Sequence, residues 1–297
     1  MEDLFFSIAD HISQATGNKF RPLCHRPLGG GCINRSEVME GDGCRFFVKL
    51  NNRRAPDMFA AEAEGLRALI AASPLRVPAP VCHGICGDTA YLVLEHLDLS
   101  TVAGSAVHAA LGNGLALQHR SQIDQFGWHR DNTIGSTPQP NAWRDRWVDF
   151  YREMRLGHQL RLAGGNGMDR RTLTAGDRLL HGLENFFVDY APEASLLHGD
   201  LWCGNFAADA DGLPVIFDPA PYHGDREADI AMTELFGGFD RSFYDAYNAA
   251  WPLHKGYGTR KKLYNLYHVL NHFNLFGAGY AAQARIMIDD LLASRPV

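Results

Sequence analysis

The chain has 297 residues, of which 46% are hydrophobic and 21% are charged, and its formal net charge is −6. This composition is ordinary for a globular protein with a substantial core, and the negative balance argues against nucleic acid as the main partner. The acidic start argues against a signal peptide, and the lack of any apolar run of about 18 residues argues against a membrane span. We therefore expect a cytoplasmic protein with reduced thiols.

The first elements in chain order are a helix and a hairpin. Residues 3–15 carry apolar side chains near helical spacing, which predicts a helix. Residues 36–40 and 44–50 predict two antiparallel strands, because the Gly41-Asp42-Gly43 turn between them suits the positive φ angles of a tight hairpin. Pro56 suits the first turn of a second helix, which we expect to run to about residue 72.

The remaining elements are mostly helical. A short apolar strand is expected over residues 91–97, and two more over 195–197 and 215–217. Helices are predicted near residues 105–120, 142–162, 170–188, 240–250 and 260–293. We therefore predict an α+β class with two lobes. A small antiparallel β-sheet lobe would span residues 1–97, and a larger, mainly helical lobe residues 98–297.

The segment His198-Gly199-Asp200-Leu201-Trp202-Cys203-Gly204-Asn205, with Asp218 after the apolar run 215–217, is the most informative part of the sequence. Phosphoryl transfer from ATP needs a residue that receives or orients the hydroxyl proton, and oxygen ligands for Mg²⁺. Asp200 fits the first role, and Asn205 and Asp218 fit the second. Each residue alone would be an ordinary turn residue, but the joint pattern favours this chemistry.

Lys49 supplies an independent indication from the first lobe. It follows three large apolar residues at the end of a predicted strand, where a kinase places the lysine that binds the α- and β-phosphates. A helix glutamate usually holds that lysine, and the next helix offers Glu62 and Glu64. We favour Glu62, because it lies beside the apolar stripe, where an unpaired carboxylate would be costly.

Backbone groups of the first lobe complete the predicted nucleotide site. Gly29, Gly30 and Gly31 can approach phosphates closely because they lack a Cβ, although they match neither the spaced glycines of protein kinases nor the Walker pattern. The strand over residues 92–97 lies where the hinge between the lobes should be. Backbone groups near Glu95 and Leu97 would bind the adenine edge.

Together these residues resemble the fructosamine kinase family, or ketosamine-3-kinases, which is related to the aminoglycoside and choline kinases and has a protein-kinase-like fold. The resemblance covers nearly the whole chain. It rests on the glycine loop 29–34, Met58-Phe59 with Glu62, Val77-Pro78-Ala79-Pro80, the loop 198–205, the stretch 218–229, Leu235-Phe236-Gly237-Gly238-Phe239, and the late segments 266–268 and 270–272. Cys203 is a mild departure, since a small residue such as Ser is common there.

The resemblance implies ATP- and Mg²⁺-dependent phosphorylation of a ketosamine, the rearranged adduct of a sugar and an amine. The hydroxyl would be O3 of a fructosamine or ribulosamine, borne by a small molecule or a glycated protein, and phosphorylation would promote deglycation. It assigns roles by position: Asp200 as base, Asn205 and Asp218 as metal ligands, Lys49 and Glu62 at the phosphates, Cys32 and Asn34 in the glycine loop, and Trp202 against the sugar or, alternatively, in the core.

Three acidic residues and one cysteine carry further expectations. Asp229 is expected to cap and brace the loop 198–205, which we call the catalytic loop after its predicted role. Asp225 and Glu227 would attract the cationic amine of the ketosamine, or else form an exposed acidic loop. Cys32 suggests redox sensitivity, because oxidation would hinder a loop that closes on ATP; an inert loop residue is the alternative.

Two other functions remain open from the sequence. A kinase of another small hydroxyl compound, such as an aminoglycoside, choline or homoserine, would share Lys49, Asp200, Asn205 and Asp218. A catalytically dead ATP-binding module on the same fold is less favoured, because all four residues that phosphoryl transfer would use are present. A protein kinase is disfavoured by the short interval between Asp218 and Glu227. We expect a monomer, with a homodimer as the alternative, and no nucleic-acid or membrane partner.

Overall fold

A five-stranded antiparallel sheet forms the first part of the computed structural model, which describes residues 2–29, 34–52 and 56–294, without the side chains of Glu2 and Pro56. The spatial order of its strands is β1-β2-β3-β5-β4. The strands are β1 Cys24–Leu28, β2 Arg35–Gly41, β3 Cys44–Asn52, β4 Pro80–Cys86 and β5 Thr89–Glu95.

The predicted hairpin is confirmed as β2 and β3. Gly41 pairs with Cys44, so Asp42 and Gly43 form a two-residue turn. Their φ angles are 48° and 75°, which is the backbone geometry that matches the twist of the flanking strands. The Asp-Gly pair therefore determines the register of the strand that carries Lys49.

The middle of strand β5, residues 90–94, is apolar and buried, because helices cover both faces of the sheet: α1 Glu2–Thr16 on one side and α2 Pro56–Ala72 on the other. Tyr91 and Val93 belong to a core cluster with residues of α1. Ala90, Leu92 and Leu94 belong to the cluster that includes α2. The period-2 alternation of a strand thus serves two separate cores.

The rest of the chain is mainly helical and confirms the predicted α+β class. Its helices are α3 Ser105–His119, α4 Trp147–Phe150, α5 Gly157–Gly165, α6 Arg170–His181, α7 Glu227–Leu235, α8 Arg241–Ala250, α9 Tyr257–Phe276 and α10 Ala281–Ala293. Its short strands are β6 Gln122–Ile123, β7 Asn132–Ile134, β8 Thr137–Gln139, β9 Ala194–Leu197, β10 Phe206–Ala208, β11 Pro214–Ile216 and β12 Tyr222–Gly224.

Three predicted helices differ in detail. The helix expected over 142–162 begins at Trp147 and passes through a π-helical turn, Tyr151–Leu156. The helix expected over 170–188 ends at His181. The single helix expected over 260–293 is wrong: Gly277 has a φ of 85°, and this left-handed residue ends α9 and separates it from α10.

Helix α7 was not predicted, because its acidic start resembles a solvated loop. Among the described residues, no helix combines the length and the apolar character needed to cross a membrane.

Candidate active site

Lys49 is buried on β3 and faces α2. Its neighbours Val48 and Leu50 pack in the core on the α1 side, so the alternation of the strand turns Lys49 to the opposite face. There Lys49 Nζ donates a hydrogen bond to Glu62 Oε1 at 2.5 Å. Burial lowers the pKa of Lys49, but the carboxylates of Asp218 and Glu62 outweigh burial and raise it, so the amine is charged at neutral pH.

Glu64, the other glutamate considered for Lys49, points elsewhere. Its carboxylate accepts hydrogen bonds from His129 Nε2 at 3.0 Å and from Arg130 Nη1 at 3.2 Å. The structure therefore pairs Lys49 with Glu62 and not with Glu64.

Asp218, which lies 169 positions after Lys49 in the chain, contacts the same lysine. It follows the buried strand β11 and has a φ of 56°, which is uncommon for a residue other than glycine. One carboxylate oxygen accepts a hydrogen bond from Lys49 Nζ. The Asp218 side chain remains 49% exposed, so it can still receive a ligand from solvent.

Asp200 and Asn205 lie in the loop between β9 and β10, next to Asp218. Asn205 Nδ2 donates to the Asp200 carbonyl at 2.8 Å, to Asp200 Oδ2 at 3.2 Å and to the Asp218 carbonyl at 3.4 Å. Burial, and secondly the Asp218 carboxylate, raise the pKa of Asp200 to about 7, although the Asn205 hydrogen bond opposes this. A carboxyl group with a pKa near neutrality is suited to accept a proton from a hydroxyl.

Asp229 braces this loop from α7, as the sequence predicted. Its two carboxylate oxygens accept hydrogen bonds from the backbone N–H groups of His198, at 2.7 Å, and Gly199, at 2.8 Å. His119 Nε2 lies 3.1 Å from the same carboxylate. Burial alone would raise the pKa of Asp229, but these partners outweigh it and hold the pKa below its ordinary value.

Gly199 allows the catalytic loop to approach the segment that follows Asp218. Its φ is 81°, and a Cβ there would lie 2.0 Å from the Ala220 carbonyl oxygen. The Ala220 N–H donates to the His198 carbonyl at 2.9 Å, and the Phe217 N–H to the Asn205 carbonyl at 3.1 Å. Only glycine fits this approach, which holds Asp200 and Asp218 together.

Trp202 is not a core residue. Its side chain is 38% exposed, and its ring meets the Phe236 ring edge-on, with 6.2 Å between centroids. The Trp202 N–H donates to the Asp200 carbonyl at 3.2 Å. An exposed aromatic face beside Asp200 is compatible with the predicted sugar contact.

The predicted glycine loop is only partly described. Gly30, Gly31 and Cys32 lie outside the described residues, and so does the redox hypothesis for Cys32. Gly29 is exposed after β1. Asn34 Oδ1 accepts a hydrogen bond from Asn51 Nδ2 at 2.7 Å, which connects the end of this loop to β3.

Glu95 ends β5 at the predicted hinge, and several of its polar groups are already engaged. Its N–H donates to the Ala79 carbonyl at 2.9 Å, and its carboxylate accepts from the Ala79 N–H and from Arg76, each at 2.7 Å. Adenine binding by the Glu95 carbonyl and by the half-buried Leu97 stays a prediction.

Asp225 and Glu227 require a correction. Both are fully buried, so neither an exposed acidic loop nor a carboxylate open to the substrate amine is present. Asp225 accepts hydrogen bonds from Tyr190, at 2.9 Å, and from Tyr264. Glu227 Oε2 forms an ion pair with Arg260 Nε at 2.7 Å. These partners are distant in the chain, so the acidic sequence gave no sign of the burial.

The sequence did not single out His119, whose ring contacts Asp229 and so helps to position it. The ring is buried and forms two hydrogen bonds. Nε2 bonds the Asp229 carboxylate, and Nδ1 lies 2.8 Å from the hydroxyl of Tyr247. The available signal was its position on α3, where it continues the buried stripe of Leu111 and Leu115 at helical spacing. A polar residue on such a stripe needs a partner.

Asn205 and Asp218 fit a magnesium ion by the chemistry of their donors. Within the described part of the chain, the hydrogen bonds of the Asn205 side chain engage its nitrogen, which leaves Oδ1 as the available atom. Lys49 binds only one of the Asp218 carboxylate oxygens. Amide and carboxylate oxygens are the hard ligands that Mg²⁺ prefers.

Comparison with known proteins identifies the family. The family model for fructosamine kinase matches residues 4–294. A protein-ribulosamine 3-kinase of Arabidopsis thaliana, named as chloroplastic, is 44% identical, over 89% of this chain and 81% of its own. A ketosamine-3-kinase of Mus musculus is 35% identical, over 89% of this chain and 93% of its own.

Solved structures agree with this result. A Haemophilus somnus structure that bears the name fructosamine-3-kinase superposes with a TM-score of 0.88 at 29% identity, over 96% of each chain. An aminoglycoside phosphotransferase and a choline kinase, at 16% and 14% identity, share the fold with TM-scores of 0.66 and 0.64. The predicted kinase-like fold is thereby confirmed. This chain belongs to the fructosamine kinase family of ATP-dependent phosphotransferases.

Proposed function

We propose that this protein transfers the γ-phosphate of ATP to O3 of a ketosamine, such as a fructosamine or a ribulosamine. The observation that carries the proposal is the contact between Lys49, Asp218, Asn205 and Asp200 in a chain of this family. These residues come from two regions far apart in the sequence. Their joint placement supports one shared task rather than four separate structural ones.

The first step is to hold the nucleotide. Lys49, kept charged and oriented by Glu62, would bind the α- and β-phosphates, and the sequence predicts that the backbone of the glycine loop would cover them. Asn205 Oδ1 and the Asp218 carboxylate would hold Mg²⁺, which supplies charge neutralisation at the β- and γ-phosphates when bound. Lys49 would then release Asp218 and turn toward the phosphates.

The second step is phosphoryl transfer. The O3 hydroxyl gives its proton to the Asp200 carboxylate while the oxygen bonds to the γ-phosphorus and the bond from that phosphorus to the bridging oxygen of ADP breaks. Asn205 holds the Asp200 carboxylate in place, and Asp229 fixes the loop backbone. Trp202 would place its exposed face against the sugar.

The product accounts for a deglycating role. The phosphate on C3 lies next to the C2 carbonyl, so loss of a proton from C1 gives an enol that expels the phosphate from C3. Addition of water to the resulting conjugated imine then releases the free amine. Deglycation would thus follow from phosphorylation without a further catalytic group.

The test is a coupled assay of ATP- and Mg²⁺-dependent phosphorylation, using a fructosamine and a ribulosamine of a protected lysine. We expect turnover that Asp200→Ala lowers by about 10² or more, with nucleotide affinity nearly unchanged. Turnover of an aminoglycoside, choline or homoserine, without turnover of any ketosamine, would move the assignment to another small alcohol. ATP binding without any transfer would indicate a binding module, and full activity of Asp200→Ala would overturn the assignment of the base.

Three expectations stay as predictions from the sequence. They are two lobes that meet near residue 97, a cytoplasmic location, and a monomeric state with a homodimer as the alternative. Sedimentation of the purified protein distinguishes monomer from dimer.

A further inference from the structure

Two backbone carbonyl groups just after Asp218 accept hydrogen bonds from buried side-chain amides. Gln139 Nε2 donates to the Ala220 carbonyl at 3.1 Å, and Asn132 Nδ2 donates to the Pro221 carbonyl at 2.9 Å. The two amide residues pair with each other across the hairpin of β7 and β8. Gln139 is 1% exposed and Asn132 is 9% exposed, so both amides act inside the protein and not on a ligand in solvent.

The Gln139 amide is oriented from its oxygen end. The Tyr267 hydroxyl donates to Gln139 Oε1 at 2.6 Å, so the nitrogen faces the Ala220 carbonyl and, at 2.8 Å, Asn132 Oδ1. Both N–H groups of this amide are thereby used. If the amide were turned over, its oxygen would face two acceptor oxygens, which is unfavourable. The hydrogen bond to Ala220 therefore has one defined donor.

The Asn132 amide is oriented in a similar way, through Asn141. Asn132 Oδ1 accepts from Asn141 Nδ2 at 2.9 Å, and Asn141 Oδ1 accepts from Arg155 Nη2 at 2.6 Å. A guanidinium group can only donate, so the donor direction runs from Arg155 through the two asparagines to the Pro221 carbonyl. Arg155 is itself fully buried, and its guanidinium carbon lies 3.8 Å from the centroid of the Tyr222 ring. A satisfied buried network of this kind holds its members rigidly.

Asp218 is connected to the anchored carbonyls by a short piece of backbone. Its φ of 56° is unfavourable for a residue with a Cβ, and such a conformation persists only where the surroundings hold it. Pro219, which follows, has a φ fixed by its ring. Ala220 is then anchored on both sides, because its N–H donates to the His198 carbonyl at 2.9 Å and its carbonyl accepts from Gln139. A change of the backbone at Asp218 would therefore disturb both hydrogen bonds of Ala220.

We propose that Gln139 is a positioning residue for Asp218. Its amide holds the Ala220 carbonyl and thereby keeps the Asp218 carboxylate in the place where magnesium would bind, and Asn132 supports this at the Pro221 carbonyl. The inference rests on the proposed function, which gives Asp218 its metal role. It adds a residue that contacts neither metal nor substrate. Loss of the amide should weaken the contribution of the metal to nucleotide binding, because a carboxylate that is no longer held must be ordered when the ion binds.

The test measures how much magnesium improves the binding of AMP-PNP, an analogue of ATP that is not hydrolysed. Calorimetric titrations in excess Mg²⁺ and in EDTA give two affinities, and we call their ratio the metal gain. Gln139→Met keeps the length of the side chain and removes the donor. We expect it to lower the metal gain about tenfold, with the affinity in EDTA within about twofold of wild type. The Mg²⁺ concentration for half-maximal turnover should rise by a similar factor, and KM for the ketosamine should stay unchanged.

A matched control makes the same change elsewhere in the core. Gln118 is also fully buried, and its Nε2 donates to a backbone carbonyl, that of Leu196, at 3.3 Å. That carbonyl belongs to β9, which β6 and β12 hold from both sides. Gln118→Met should therefore melt earlier than wild type, as Gln139→Met should, but should keep the metal gain.

Two further variants test whether Gln139 acts through Asp218. Asp218→Asn should remove most of the metal gain, and adding Gln139→Met to it should lower the gain no further, because the carboxylate to be positioned is already absent. Tyr267→Phe removes only the hydroxyl that orients the Gln139 amide and should lower the gain about threefold. This milder variant decides the question if Gln139→Met does not fold.

Three results would each overturn the positioning role. They are an unchanged metal gain in Gln139→Met (or in Tyr267→Phe, where that variant decides), an equal loss in Gln118→Met, and a further loss on top of Asp218→Asn. Failure of the proposed function is distinct from these results. If the wild-type protein shows the metal gain but phosphorylates no ketosamine, the proposed function fails and the same ratios still decide the role of Gln139. If the wild-type protein shows no metal gain, the metal role of Asp218 fails and this inference falls with it.

Discussion

Lys49 donates a hydrogen bond to Asp218, a residue 169 positions later in the chain. The same ammonium group binds Glu62, so one buried charge joins β3, α2 and the segment after β11. The cluster is therefore both a structural connection and the centre of the proposed nucleotide site.

Lys49→Met should weaken nucleotide binding by about tenfold or more and lower kcat/KM by about 10²–10³, because a preorganised positive charge is lost. It should also lower the free energy of unfolding by about 3 kcal/mol, since the carboxylate of Glu62 remains in a poorly solvated place. Calorimetric titration with ATP and thermal unfolding measure the two effects.

The double variant Lys49→Met/Glu62→Gln separates these effects. Stability should largely return, because the buried carboxylate of Glu62 is neutralised and the Asp218 carboxylate, which is 49% exposed, stays hydrated. Nucleotide binding should stay weak. Glu64→Gln is the matched control on the same helix and should change neither quantity, because Glu64 binds His129 and Arg130 instead. Normal ATP affinity in Lys49→Met would remove Lys49 from the nucleotide site.

Asp200→Asn should change the pH dependence of stability in the absence of nucleotide and Mg²⁺. The folded protein raises the pKa of Asp200 from 3.8 to about 7, so folding favours the protonated carboxyl group. Stability is therefore lost as the pH rises from the unfolded value through the folded one, and asparagine does not suffer this loss. The variant should melt above wild type at about pH 8, and the gap should close toward pH 4. A gap that is independent of pH would contradict the raised pKa.

Asp229→Asn should destabilise the protein by about 2–4 kcal/mol and lower kcat, because one amide oxygen cannot replace two carboxylate oxygens that accept from His198 and Gly199. Nucleotide affinity should change little. Asp240→Asn is the control, since Asp240 caps α8 at the surface and asparagine caps equally well. If the two variants were equally stable and active, Asp229 would not brace the loop.

Gly199→Ala and Gly212→Ala separate backbone strain from close contact. Both glycines have left-handed φ angles, 81° and 76°, but a Cβ at Gly212 meets no atom within 4 Å. Gly212→Ala should cost about 1 kcal/mol of stability and leave activity intact. Gly199→Ala should cost several kcal/mol more and lower kcat, because the methyl group would push Ala220 and with it Asp218 away from Asp200. Equal losses in urea unfolding would show that the contact is unimportant.

Local patterns in the sequence were enough for the elements that depend on neighbouring residues. The Asp42-Gly43 pair predicted a hairpin, because few other residue pairs tolerate the positive φ angles of such a turn. The apolar run that begins at Tyr91 predicted the strand that forms β5, Thr89–Glu95. The order of Asp200, Asn205 and Asp218 indicated phosphoryl chemistry, since these residue types suit base and metal roles at that spacing.

The fold alone decided which polar groups are open to a ligand. Asp225 and Glu227 have acidic neighbours in sequence, yet Tyr264 and Arg260 of α9 enclose them. Burial and charge compensation depend on partners brought together from distant parts of the chain, and such partners leave no local period or motif.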